Sequence, residues 1–404
     1  MKYKYILIII LLTLLTSTLY NIPTCTEITP HRTIKNNATI INNNTEPGWL
    51  HTNHNHIETD DGKTFQFKGV AISVLNWGWT DPNRYTSGNW NKNYTTFIKE
   101  CGANSLRLTI NWYQHNQAYT TQIDQVVKWC TENNLRVILD MHLGDPKTYN
   151  NEANNMLTII KNPKAPLNTI LTPAQGGAPY PDISWIDLLQ YYTSHYANNP
   201  TVSMINIMNE PCQDQLPKQT LFKLWYNAAK LATKAIHEIN PKILVGVYGM
   251  DWGNSLTDFY TNPLPDNNVV YCCEGAYMAY RTGAKEYGAA YVAGNYSQAK
   301  ELFLTYLHNN GILPMSIKYP VVVIEWGSEQ WNGYNSTQDP AYIQFTKDTF
   351  EIFLQNKLGS QYWAWDVNLE DNQGLLDYEN WTKGILVLNT RGQLWRQYCQ
   401  TAIL

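Results

Sequence analysis

Residues 204–211 read MINIMNEP, an apolar run closed by Asn209, Glu210 and Pro211. With its approach, VSMINIMN over 202–209, it has the length and composition of a strand buried on both faces. A carboxylate placed where such a strand leaves the core is costly unless it is hydrogen-bonded or has a chemical task. The reading therefore turns on whether a second acidic residue ends another run of the same kind.

From about residue 65 the chain alternates runs of this type with amphipathic stretches. The strand candidates are FQFKGVAI, NSLRLTI, LRVILDMH, VSMINIMN, ILVGVYG, NVVYCCE, YPVVVIEW and SQYWAWDV. Between them lie helical patterns such as TQIDQVVKWCTEN, SWIDLLQYYTSHYA, LFKLWYNAAKLATKAIHEI and AYIQFTKDTFEIFLQ. Near-continuous apolar strands separated by helices indicate a parallel sheet covered by helices. Eight of them in one domain fit an α/β (β/α)₈ TIM barrel better than an open sheet. No G-x-G-x-x-G or Gly-rich phosphate loop follows an early strand, which argues against a nucleotide-binding open sheet. WLHTNHNHIETDDGKTFQF (49–67) reads as a hairpin turning at Asp-Asp-Gly and capping the barrel bottom. The connection from His142 to Ser184, with TPAQGGAPYPD, reads as a long loop, and loops of that size are usually functional.

Lys2 and Lys4 precede an apolar stretch from Ile6 to Leu15, so residues 1–22 read as a signal peptide or a retained membrane anchor. Residues 23–46 form an Asn/Thr-rich linker, and 47–404 the barrel domain. Six N-x-S/T sequons, at Asn37, Asn43, Asn93, Asn295, Asn335 and Asn380, are compatible with export. The expected location is extracellular, secreted or anchored to the outer face of the membrane. In an oxidising compartment, Cys101 with Cys130, and Cys212 with one of Cys272 and Cys273, are candidate bridges. The net charge is only −4 and the cationic residues do not cluster, so nucleic acid is a poor partner. The 28 Tyr and 15 Trp, against 9 Phe, suit surfaces that hold amphipathic ligands such as sugars.

In a barrel, chemistry belongs at the C-terminal ends of the strands. Those ends offer Trp77 and Trp79 after the first strand, Arg107 and Trp112 on or after the second, and His142 after the third. Asn209 and Glu210 follow the fourth, Glu274 to Tyr277 the sixth, Glu325 and Trp326 the seventh, and Trp363 and Trp365 lie on the eighth. Glu210 and Glu325 are thus separated by three βα units. Two facing carboxylates with aromatics nearby suit glycoside hydrolysis, with one as acid and the other as nucleophile or base; their separation decides retention or inversion.

INIMNEP, VVVIEWGSE, NSLRL, LRVILDMH and YWAWDVNLEDNQGLL together resemble glycoside hydrolase family 5, the cellulase-type retaining (β/α)₈ glycosidases, over about residues 48–395. The resemblance implies Glu210 as acid/base, Glu325 as nucleophile and Asn209 as the partner of the sugar 2-hydroxyl. It further implies that Arg107 sits beside Glu325 and that His142 contacts the sugar or the acid/base. Trp363 or Trp365 becomes the stacking floor, and Trp77, Trp79 and Trp112 outer platforms. The family usually carries His-x-Tyr after the sixth strand; here Glu274 takes the His position, and Tyr277 reaches Glu325 only if a one-residue bulge intervenes. The implied activity is a retaining endo-β-1,4-glucanase acting on β-glucan as a monomer, with neither cofactor nor metal. A β-mannanase or another β-glycosidase of the family is the alternative. From another class, a non-catalytic carbohydrate-binding protein on the same barrel is the rival.

Overall fold

The computed structural model describes residues 47–73, 75, 92–111, 115–142, 149–171, 180–211, 216–277, 286–327, 340–365, 374–381 and 383–402. Three short strands come first, β1 (His51–Asn53), β2 (His56–Glu58) and β3 (Thr64–Phe65), paired antiparallel. Eight parallel strands follow: β4 (Lys68–Ile72), β5 (Ser105–Ile110), β6 (Arg136–Met141), β7 (Val202–Asn206), β8 (Leu244–Tyr248), β9 (Val269–Cys273), β10 (Val321–Trp326) and β11 (Gly359–Tyr362). They close on themselves, β11 pairing with both β4 and β10. Seven of the expected runs contain one of these strands whole and the eighth, SQYWAWDV, overlaps β11, as the (β/α)₈ reading requires.

The strands are buried along their whole length because both faces are covered. On β6, Val137, Leu139 and Met141 pack under the helices, whereas Ile138 points into the barrel. Met204, Leu244, Val270, Val322 and Ile324 join it there, and Leu50, Ile57 and Phe67 close the lower end against them. Burial of each such aliphatic side chain is worth about 1.5–3 kcal/mol. The backbone amide of Thr52 donates to Asn268 Oδ1 at 2.9 Å, just before β9, which ties the antiparallel strands to the N-terminal mouth. Gly62, at φ +76°, makes the Asp-Asp-Gly turn. The bottom is therefore plugged, and open chemistry is left to the opposite rim.

Two expectations are corrected. The 142–184 connection carries two helices, Tyr149–Lys161 and Leu167–Ile170. Met156, Ile159 and Ile160 are spaced for one face and are buried; an asparagine-rich first half, poor in helix propensity, hid that pattern. Cys101, Cys130, Cys272 and Cys273 are buried free thiols, so the Cys101–Cys130 bridge is not formed. Burial pushes the Cys101 thiol up to about 11 and Cys130 higher still, as expected of cysteines packed as small apolar groups. Cys212 and the 1–46 segment lie outside the described residues. Among the described residues, no helix is long and apolar enough to cross a membrane.

Candidate active site

The upper layer of the barrel is polar, and its centre is a guanidinium. Arg107, inward-facing on β5 and fully buried, donates through Nη1 to Glu325 Oε2 at 2.6 Å and through Nη2 to Asp140 Oδ2 at 2.8 Å. Nη2 also donates to Asn209 Oδ1 at 2.6 Å. Burial alone would depress the guanidinium, but Asp140, Tyr248 and Glu325 hold it well above its ordinary value. Burial likewise opposes ionisation of Asp140; the Arg107 charge and hydrogen bonds from His142 and Asn206 more than offset it, so its carboxyl lies below the ordinary range.

These bonds fix what each side chain shows to the cleft. Arg107 can only donate, so Asn209 must turn its carbonyl inward and its amide N–H groups outward. His142 Nδ1 lies 3.0 Å from the ionised Asp140, which makes Nδ1 the N–H donor in that contact. The His142 ring stacks on Trp363, with centroids 5.6 Å apart and planes 4° from parallel. The Arg107 guanidinium lies 5.7 Å from the Trp363 ring centroid. Tyr248, raised far above its usual range by burial, stays a protonated phenol and donates to Glu274 Oε1 at 3.4 Å.

Glu210 answers the opening question. β7 ends at Asn206, but the chain runs on between its neighbours: the amide of Ile207 bonds Gly246 and that of Asn209 bonds Met141. Glu210 then takes a left-handed turn, at φ +44°, that lifts its side chain over the rim. A non-glycine residue held there costs of order 1–3 kcal/mol and persists only where the surroundings impose it.

Glu325 reaches the cleft by a different device. Along β10, Val321 and Val323 face the helices and Val322 and Ile324 the interior. Strict alternation would send Glu325 outward. The register against β11 slips by one residue between Val323 and Trp326, so Glu325 follows Ile324 inward and Trp326 packs outward on Phe350 and Phe353.

After β9, Gly275 at φ +54° and an Ala276 N–H to Glu274 carbonyl contact of 2.5 Å make a tight turn. This is the extra residue that the Tyr277 expectation needed, and the Tyr277 hydroxyl donates to Glu325 Oε1 at 3.0 Å. A β-carbon at 275 would lie 2.4 Å from Ile312 Cδ1. We expect Gly275→Ala to lower unfolding free energy by about 1–3 kcal/mol in urea titrations. Activity should fall with it because Tyr277 is displaced.

One oxygen each from Glu210, Glu274 and Glu325 lie mutually within 4.8 Å, and all three residues are buried. Among the described residues this is the set that could share a cation, although three carboxylate oxygens fall short of the six or more that calcium takes. Trp365, expected as a possible floor, is fully buried against Phe97 and Trp395: it faces the helical layer, leaving Trp363 at the cleft. Both tryptophans follow the end of β11 at Tyr362 and do not lie on the strand. Trp77, Trp79 and Trp112 lie outside the described residues. Asp140, Asn206 and Tyr248 escaped the sequence reading; the signal was a lone Asp inside the apolar LRVILDMH, with Asn206 bonded to it from the next strand.

The sign of the Asp140 effect on stability follows from its lowered folded value. Its contribution is present above the ordinary aspartate range near 4 and is lost as pH falls through the lower folded value. The stability gap between wild type and Asp140→Asn should therefore be widest near neutrality and narrow below about pH 4. Denaturant midpoints measured across pH check this.

Eight parallel strands, a plugged floor and three rim carboxylates define the class of (β/α)₈ barrels with an acidic cleft. The chain belongs to the cellulase family, glycosyl hydrolase family 5, whose sequence profile matches residues 59–369. It is 22% identical over 326 residues to endoglucanase G of Acetivibrio thermocellus, covering 68% of this chain and 52% of that protein. It is 25% identical over 268 residues to an endoglucanase of Paenibacillus polymyxa, covering 55% and 59%. The chain thus spans only about half to three-fifths of the length of these curated relatives. Among solved structures, a β-glucanase from Saccharophagus degradans superposes with a TM-score of 0.63 at 18% identity, over 87% of this chain and 93% of that one. The same enzyme has been solved with cellotetraose. A hyperthermophilic endocellulase from Pyrococcus horikoshii gives 0.63 at 18% identity, over 87% and 99%.

Proposed function

We propose that this glycosidase is a retaining, endo-acting β-glucanase that cleaves β-1,4 links by double displacement. The observation that carries the reading is the approach of Glu210 and Glu325 oxygens to within 4.8 Å. Retaining enzymes hold their two carboxyl groups about 5–5.5 Å apart, and inverting ones about 6.5–9.5 Å, to leave room for water. Glu325, held by Arg107 and Tyr277, is the nucleophile and attacks the anomeric carbon while Glu210 gives its proton to the leaving oxygen. Glu210, then a base, takes a proton from the water that hydrolyses the glycosyl-enzyme. The outward amide of Asn209 is placed for the sugar 2-hydroxyl, and Trp363 for the sugar face. The endoglucanase names of the relatives support β-glucan as substrate. The lysines before the Ile6–Leu15 apolar stretch support action outside the cell.

The test is hydrolysis of carboxymethylcellulose, mixed-linkage β-glucan and β-mannan by the full chain, with the first-formed anomer followed by proton NMR. Rapid loss of viscosity with β-anomer product on a glucan is expected. Hydrolysis of mannan alone overturns the substrate, α-anomer product overturns retention, and binding without sugar release favours the non-catalytic alternative.

A further inference from the structure

Glu274 is unaccounted for in that reaction, yet it is 1% exposed and within 4.8 Å of both working carboxylates. It is not loosely held. Its backbone amide donates to the Gly253 carbonyl at 2.9 Å, and its carboxylate accepts from the Tyr248 hydroxyl. Gly253, at φ +77°, passes close enough that a β-carbon there would lie 3.1 Å from Glu274 Cγ. The fold thus supports a third acidic group in a place that costs free energy to occupy.

The charges around it give it a direction. Among the described residues, Arg107 from β5 brings a guanidinium into this layer, and its Nη1 and Nη2 groups face Glu325, Asp140 and Asn209. From β6 come Asp140 and His142, from β8 Tyr248, from β10 Glu325, and after β9 Tyr277. Tyr306, on the helix Tyr296–Asn309, feels the charges of Asp251 and Glu274. Glu325 accepts from the Arg107 guanidinium and the Tyr277 phenol, and one oxygen of Glu274 lies within 4.8 Å of one of Glu210.

Resting on the assignment of Glu210 as acid/base, we propose that Glu274 is a positioning residue that holds the transferable proton on Glu210 and so sets the alkaline limit of the reaction. As a carboxylate, Glu274 disfavours a second negative charge beside it, so Glu210 stays protonated to higher pH. Once Glu210 has given its proton away, the same repulsion makes it the stronger base for the second step. Glu274 itself touches neither sugar nor water in this scheme.

The experiment is a carbon-13 carboxyl titration of the full chain with labelled glutamate, Glu210 being identified by the resonance missing from Glu210→Gln. In Glu274→Gln the Glu210 midpoint should fall by about one pH unit or more, the effect expected on removing a like charge at this range. Glu274→Asp should restore most of it. The alkaline limb of kcat/KM, on whichever tested glucan is hydrolysed, should move down in parallel. A Glu210 midpoint that stays or rises in Glu274→Gln overturns the proposal. Should that variant not fold, Glu274→Ala takes its place, with the same fall in the Glu210 midpoint expected and an unchanged midpoint overturning the proposal. Glu210→Gln separates the two failures, since full activity there would sink the acid/base assignment itself.

Discussion

Glu325→Gln should remove hydrolysis of every accepted glycan, lowering kcat by about four to six orders of magnitude, as losing a covalent nucleophile does elsewhere. Glutamine matches the carboxylate in shape and can still accept from Tyr277, but the amide does not attack an anomeric carbon. The fold should survive, because Arg107 keeps Asp140 as a 2.8 Å partner. Single-turnover assays with the full chain measure the loss, and a melting curve confirms the fold. A residual rate within a hundredfold of wild type would place the nucleophile elsewhere.

Arg107→Met should have the largest effect on stability. It leaves Asp140 and Glu325, 0% and 5% exposed at their side chains, without the cation that faces them. Removing one partner of a buried ion pair costs about 3–5 kcal/mol, since the remaining charge stays out of water. Urea unfolding at neutral pH reads this directly, and the gap should shrink in acid as Asp140 gains a proton. Arg107→Lys should fall between the two, keeping the charge but losing the fork that reaches both carboxylates and Asn209. A loss under 1 kcal/mol would mean that water already reaches these acids.

The barrel was legible because a parallel sheet covered on both faces forces long apolar runs, and eight such runs leave few alternatives. The positions of Glu210 and Glu325 at the ends of the fourth and seventh runs came from the same pattern. What sequence hid was orientation. Only Ala364 separates Trp363 from Trp365, and nothing in YWAWDV says which ring turns to the cleft. Asp140 looked like part of a strand because its partners, Arg107, His142 and Asn206, come from three different places in the chain. The Tyr149–Lys161 helix is hidden in the sequence because asparagines fill its first half, ahead of the buried Met156, Ile159 and Ile160.

The offset in β10 has a consequence for anyone altering this protein. A variant in which β10 kept every residue but lost the slip between Val323 and Trp326 would pleat evenly and still present a well-formed hydrophobic stave. Its carboxylate would then be pressed among Phe350 and Phe353, with an indole standing in the mouth. Such a protein could be folded and yet chemically mute, so a healthy melting curve is no guide to whether this edge of the cleft remains in step.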